Sequence, residues 1–135
     1  KESIFKANKV PYLSLDPISI GIEVCNWGPL TFKNNKYYNY VGGEVNASHV
    51  TTLEKPYKGH KHWFTYTDAQ IESLRQLVEY LCETYDIPKD YNESIWDIDI
   101  DALKGNKGIF THNSVRKDKS DMYPCPRVIQ MLKNL

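Results

Sequence analysis

A chain of 135 residues with 41% apolar and 25% charged side chains has the size and balance of one compact domain with a hydrophobic core, which excludes a disordered chain. Seventeen basic residues offset seventeen acidic ones, so no charge surplus argues for nucleic acid or an anionic membrane as partner. No apolar stretch approaches the roughly 18 residues of a membrane-spanning helix.

Residues 1–17, with Pro11 and Pro17, read as irregular structure feeding a strand. Lys1 reads as an interior start, since neither an initiator Met nor a signal peptide precedes the first element. "SIGIEVCN" (19–26) is short, apolar and β-branched between Pro17 and "NWGP", the pattern of a buried strand. "LTFKNNKYYNYV" (30–41) predicts a hairpin turning at Asn34-Asn35, because Asn tolerates positive φ. Residues 42–66, with Gly42, Gly43, Pro56 and Gly59, read as a long loop with one short strand at its start.

"TDAQIESLRQLVEYLCETY" predicts a helix. Thr67 and Gln70 form a capping box, Asp68 suits the positive end of the helix dipole, and Ile71, Leu74, Leu77, Val78, Leu81 and Tyr85 make one apolar face. Asp86-Ile87-Pro88 ends it. Asp97, Asp99 and Asp101 alternate without the Gly and terminal Glu of a calcium loop, and are expected to form a solvated face. "GIFTH" (108–112) reads as a second buried strand, and "PRVIQMLKNL" as a closing helix with Pro126 in its first turn. Cys25, Cys82 and Cys125 form no CxxC, so neither a zinc ribbon nor a disulfide framework is indicated; Cys25 and Cys82 are expected as buried thiols. Ten tyrosines and three tryptophans suit either a core or a carbohydrate or peptide groove.

His112 ends the predicted strand and Asp121 follows nine residues later, which makes a workable half of a zinc site. Lys119, two residues before Asp121, would set a cation beside a developing oxyanion, or be only a solvated charge. Cys125 is the rival to Asp121, because thiolate is a good zinc ligand.

Taken together, "SIGIEVCNWG", "YTDAQ" and "GIFTHNSVRKDKSDMYPCP" resemble, in order and spacing, the zinc-dependent N-acetylmuramoyl-L-alanine amidases of the phage-endolysin and peptidoglycan-recognition superfamily. The resemblance spans roughly Ser19 to Leu135. It implies an α/β single domain over 1–135, a mixed central β-sheet flanked by helices, acting as a monomer on peptidoglycan of the bacterial cell wall. It also implies zinc as cofactor, with His112 and Asp121 as ligands and Glu23 and Lys119 as catalytic groups. Glu23 would otherwise be a paired carboxylate holding the fold. Trp27 and Tyr37 are candidates for contact with glycan or stem peptide, with core or rim packing as the alternative.

One feature departs from that pattern. The family's first ligand is a histidine on an early strand, and this chain has none before His49. Either the N-terminal strand lies outside the chain, which is the expectation, or the site is incomplete. His49, His60 and His62 fall in what the family holds as a surface loop, and are not expected as substitutes. The alternative to an amidase is a peptidoglycan-binding module that keeps fold and groove without turnover; a structural part of a phage particle is a third reading.

Overall fold

In the computed structural model, which describes residues 15–135, the strongest local signal produces the longest element. Helix α1 (Asp68–Tyr85) starts where Thr67 Oγ1 accepts from the Gln70 amide at 3.1 Å and Gln70 Oε1 accepts from the Thr67 amide at 3.0 Å. It stops at Asp86, which adopts a left-handed φ of 53°. Val78 and Cys82 are buried, and Ile71 and Leu74 pack partly against the core, whereas Leu77 and Tyr85 from the expected apolar face are exposed.

The Asn-Asn turn forms as its residue types require. Asn34 and Asn35 both take positive φ, 51° and 59°, which is what a two-residue hairpin needs to match strand twist. They join β1 (Thr31–Lys33) to β2 (Lys36–Tyr38), and β3 (Glu44–Val45) completes a three-stranded antiparallel sheet in the order β1-β2-β3.

The expected long loop over 42–66 is instead the larger β unit. β4 (Val50–Tyr57) pairs antiparallel with β5 (His60–Phe64) through a Lys58-Gly59 turn with φ of 46° and 83°. Pro56 and Gly59 suggest loop punctuation, but the ladder shifts register between Thr52 and Tyr57, and a strand irregularity is one of the few places that admits proline.

Three further expectations are corrected. Residues 19–26 form no strand, and Ile20 and Ile22 are exposed, because an apolar β-branched run becomes a strand only where a ladder partner is available. "GIFTH" is irregular too, and His112 opens a short helix instead of closing a strand. Asp99 does not belong to a solvated face: it is 4% exposed, and its Oδ1 caps α2 (Ile100–Leu103) by accepting from the Asp101 and Ala102 amides. Among the cysteines, Cys82 is buried as expected, but Cys25 is exposed. The reading of residues 1–14 lies outside the described residues.

The closing helix forms as α4 (Pro126–Lys133), burying Val128, Met131 and Leu132. At its start the Arg127 guanidinium donates to Tyr66 O at 2.8 Å and pairs with Asp68, fastening α4 to the beginning of α1. The core centres on a ring stack: Trp63 lies 4.8 Å from Tyr123, and Tyr123 lies 5.2 Å from Tyr66, both nearly parallel. The α/β single domain expected from the sequence is the one observed, with its strands divided between two antiparallel sheets.

Candidate functional site

Helix α3 (His112–Val115) is short, and side chains beneath it hold it in place. Thr111 Oγ1 and Ser114 Oγ both donate to Ile95 O at 2.6 Å, anchoring the turn to a buried segment. Asn113 has no solvent exposure, and its Nδ2 donates to Met122 O at 2.7 Å and to Asp121 O at 3.3 Å. From the other side, Lys58 Nζ at the β4–β5 turn donates to Lys117 O at 3.2 Å and to Lys119 O. The loop carrying Lys119 and Asp121 is thus fixed at both ends by its main chain.

This anchoring brings His112 and Asp121 together, with Nδ1 and Oδ2 3.1 Å apart and both side chains open to solvent. Two ligand atoms about 2.0–2.1 Å from a tetrahedral centre lie about 3.3 Å apart, so the spacing and the imidazole–carboxylate chemistry fit two of the three protein ligands that a catalytic zinc takes. Among the described residues, no third His, Cys, Asp or Glu joins the pair.

The other candidates fall as follows. Glu23 is exposed and makes no ion pair or hydrogen bond among the described residues, but the next residue, Val24, lines a small pocket with Asp121. Lys119 is half-buried and held through its carbonyl; among the described residues its ammonium makes no hydrogen bond or ion pair, and its charge acts on the neighbouring Asp118. Cys125, 1% exposed, sits in the core at the start of α4; Asp121 is the residue that meets His112. The ring of His49 lies against Phe64, that of His60 against Trp63, and His62 bonds Thr52 Oγ1 at 2.9 Å. None of the three lines the pockets beside Asp121 or Trp27.

The pocket at Asp121 measures about 70 Å³, and Val24, Asn26, Trp63, Tyr66, Ser120 and Tyr123 surround it. Through Asn26 it adjoins an open groove of about 430 Å³ bordered by Trp27, Tyr40, Phe64, Thr67 and Gln70. Trp27 therefore stands on the groove that adjoins the pocket at Asp121. Tyr37 is not on it: its ring packs against Phe32 at 4.8 Å and His62 at 5.2 Å. The groove's other exposed aromatic is Tyr40, which sequence reasoning missed. A tyrosine directly ahead of the "VGG" turn was the available signal.

Burial raises the phenols of Tyr57, Tyr66 and Tyr123 above the ordinary tyrosine range. Negative charge adds to this, from Asp97 and Asp121 at Tyr57, from Cys125 and Asp121 at Tyr66, and from Cys125 at Tyr123. The folded state therefore holds these three protons more tightly than the unfolded chain. Their contribution is complete below about pH 10, the free phenol value, and declines as pH rises above it, by about 1.4 kcal/mol per group per pH unit. Thermal unfolding followed by circular dichroism is expected to show a steep fall in Tm above about pH 10. The last part of the rise in tyrosinate absorbance, that of these three phenols, should come only with unfolding; ionisation of all ten tyrosines before any loss of structure would contradict this.

The chain matches the N-acetylmuramoyl-L-alanine amidase family over residues 8–127, a span that includes the His112–Asp121 pair, its anchoring loop and both walls of the groove. No curated protein and no solved structure matches it. By the extent of that match, the chain belongs to the N-acetylmuramoyl-L-alanine amidases, a family of hydrolases that act on peptidoglycan.

Proposed function

We propose that this protein hydrolyses the amide between the lactyl group of N-acetylmuramic acid and the L-alanine of the stem peptide, with zinc held by His112 and Asp121. The observation that carries the reading is the 3.1 Å approach of His112 Nδ1 to Asp121 Oδ2 beside an open groove, in a chain of this family. Bound zinc supplies a Lewis acid that polarises a carbonyl and lowers the pKa of water to about 7.

The chain's own residues supply the rest. Asn113 and Lys58 grip main-chain carbonyls on either side of Asp121, so its carboxylate meets the His112 imidazole already placed, with no ordering left for the moment of binding. Glu23, exposed and free of ion pairs among the described residues, is the base that accepts a proton from the attacking water. Lys119, two residues before Asp121, is the cation that would offset the charge the scissile carbonyl oxygen gains. Asn26 joins the reacting pocket to the groove in which the substrate lies.

The test is metal content and product identity together. After dialysis against zinc, elemental analysis is expected to find one zinc per chain. Digestion of purified peptidoglycan is expected to release stem peptides with a free L-alanine amino group and no new reducing ends. A chain that retains zinc and binds peptidoglycan yet frees no amino groups would be a binding module; one that retains no zinc and frees none would overturn the proposal.

A further inference from the structure

The small pocket at Asp121 holds a donor and an acceptor that have no partners of their own. Its polar side chains are Asn26, Tyr66, Ser120, Asp121 and Tyr123. Two of the five are committed elsewhere. Asn26 bonds Phe64 O and the Gly28 amide, at 2.9 and 2.7 Å, and the Tyr123 hydroxyl donates to Phe64 O at 2.8 Å. Asp121 meets His112 through Oδ2, and its Oδ1 accepts no hydrogen bond among the described residues. The Tyr66 hydroxyl makes none either. Ser120 adds a hydroxyl that rotates to suit whatever lies beside it.

Tyr66 is 3% exposed, and a phenol so deeply set normally has a bonding partner. Among the described residues, the side-chain polar atom that is both unpaired and sealed from solvent is Asn113 Oδ1. The Tyr66 oxygen, unpaired but not sealed, therefore opens where this residue lines the pocket. Its place is set by the fold. The ring stacks on Tyr123 at 5.2 Å, the main-chain carbonyl accepts from Arg127 at 2.8 Å, and the next residue, Thr67, caps α1. The Cys125 thiol shares this part of the core but does not line the pocket. Burial, with the charges of Cys125 and Asp121 added, holds the phenol's proton in place, so Tyr66 faces the pocket as a donor.

Asp121 Oδ1 is the matching acceptor. The two groups do not touch, but a pocket of about 70 Å³ admits one or two water molecules. A water that bridges two polar groups serves nearly as well as a direct bond. Lys58 and Asn113 act on the main chain around Asp121, whereas a bond to Oδ1 acts on the carboxylate itself and sets the plane in which Oδ2 meets the imidazole. Carboxylates that ligate a metal are held by second bonds of this kind.

We infer that Tyr66 is a positioning residue for Asp121, its hydroxyl donating through one bridging water to Oδ1 and so fixing the carboxylate's orientation. The inference rests on the proposed function for its effect on metal affinity; the link between the two side chains rests on the pocket alone.

Two measurements on the full chain test it. The first needs no metal. With tyrosine carbon-13-labelled at the ring carbon that bears oxygen, the Tyr66 signal is the one lost from the spectrum of Tyr66→Phe. Asp121→Ala is expected to move that signal, and Asp118→Ala, on the same loop but paired with Arg116, is expected to leave it in place. The second is zinc affinity, read by competition with a chelating dye. Tyr66→Phe keeps the ring on Tyr123, so its circular dichroism should match the parent's, yet its affinity is expected to fall at least about tenfold. In the Asp121→Cys background, whose thiolate has no second oxygen, the same change is expected to alter affinity by less than about twofold.

A Tyr66 signal indifferent to Asp121→Ala overturns the inference. So does a Tyr66→Phe variant that binds zinc as tightly as the parent, or one that loses affinity equally in both backgrounds, which is the mark of a merely structural role. If either happens while stem peptide is still released from peptidoglycan, the proposed function stands and this inference falls. A Tyr66 signal that follows Asp121 in a chain that retains no zinc gives the reverse outcome.

Discussion

Replacement of His112 by alanine is expected to abolish zinc retention and to lower kcat/KM for peptidoglycan by on the order of 10³-fold or more, about 4 kcal/mol of transition-state stabilisation. The imidazole is one of two converging side chains, and with a methyl group in its place Asp121 is left as a lone exposed carboxylate. The fold should be almost indifferent. The His112 side chain is exposed, its one hydrogen-bond partner among the described residues is Asp121, and α3 is held from beneath by Thr111, Asn113 and Ser114. A change in stability within about 0.5 kcal/mol is the expectation for such a position. Asp121→Asn keeps the shape, removes the charge, and should behave in the same way. Asp121→Cys supplies a thiolate and should restore much of the metal content. Elemental analysis and an assay for freed amino groups follow all three; full activity in His112→Ala would remove this residue from the site.

Trp63→Ala is expected to cause the largest loss of stability, about 3–5 kcal/mol, a substantial part of what a domain of this size possesses. Trp63 is 1% exposed on β5 and stacks on Tyr123; its ring lies 6.0 Å from Tyr57, and its indole N–H donates to His60 O at 3.0 Å. Removing the indole opens a cavity between the sheet and the ring stack and takes away a wall of the pocket at Asp121. Trp63→Phe keeps a ring against Tyr123 and should lose less than half as much. Urea denaturation read by circular dichroism separates the two variants by their midpoints. Equal midpoints for Trp63→Ala and the parent chain would show that the stack is not the centre of the core.

Elements set by local chemistry were legible in the sequence. The Thr67–Gln70 capping box and its helical period, the Asn34-Asn35 turn and the Pro126 helix start need only neighbours in sequence, and each formed. Elements that depend on a distant partner were not. "SIGIEVCN" and "GIFTH" have strand composition, but composition does not say whether a ladder partner stands alongside. The β4–β5 hairpin was hidden because Pro56 and Gly59 suggest a loop until the register shift accommodates them. Asp99 looked solvated because its cap on α2 depends on where the helix begins. At the site, residue types and spacing offered His112 and Asp121 as half of a metal site and the resemblance preferred Asp121 over Cys125, although a nine-residue spacing does not by itself fix a 3.1 Å contact. The anchors Asn113 and Lys58 gave no signal of their own, because their roles arise from carbonyls brought close by the fold.

The two clamps on the loop at Asp121 differ in one respect from ordinary side-chain packing. On this loop Lys58 and Asn113 grip peptide oxygens, those of residues 117, 119, 121 and 122. Every amino acid supplies the same oxygen, so the loop's shape is insulated from the identity of the side chains it displays. Positions such as Lys117 and Ser120 are therefore open to exchange without disturbing the His–Asp pair, and the face the loop presents to solvent can be rewritten while its scaffold stays constant.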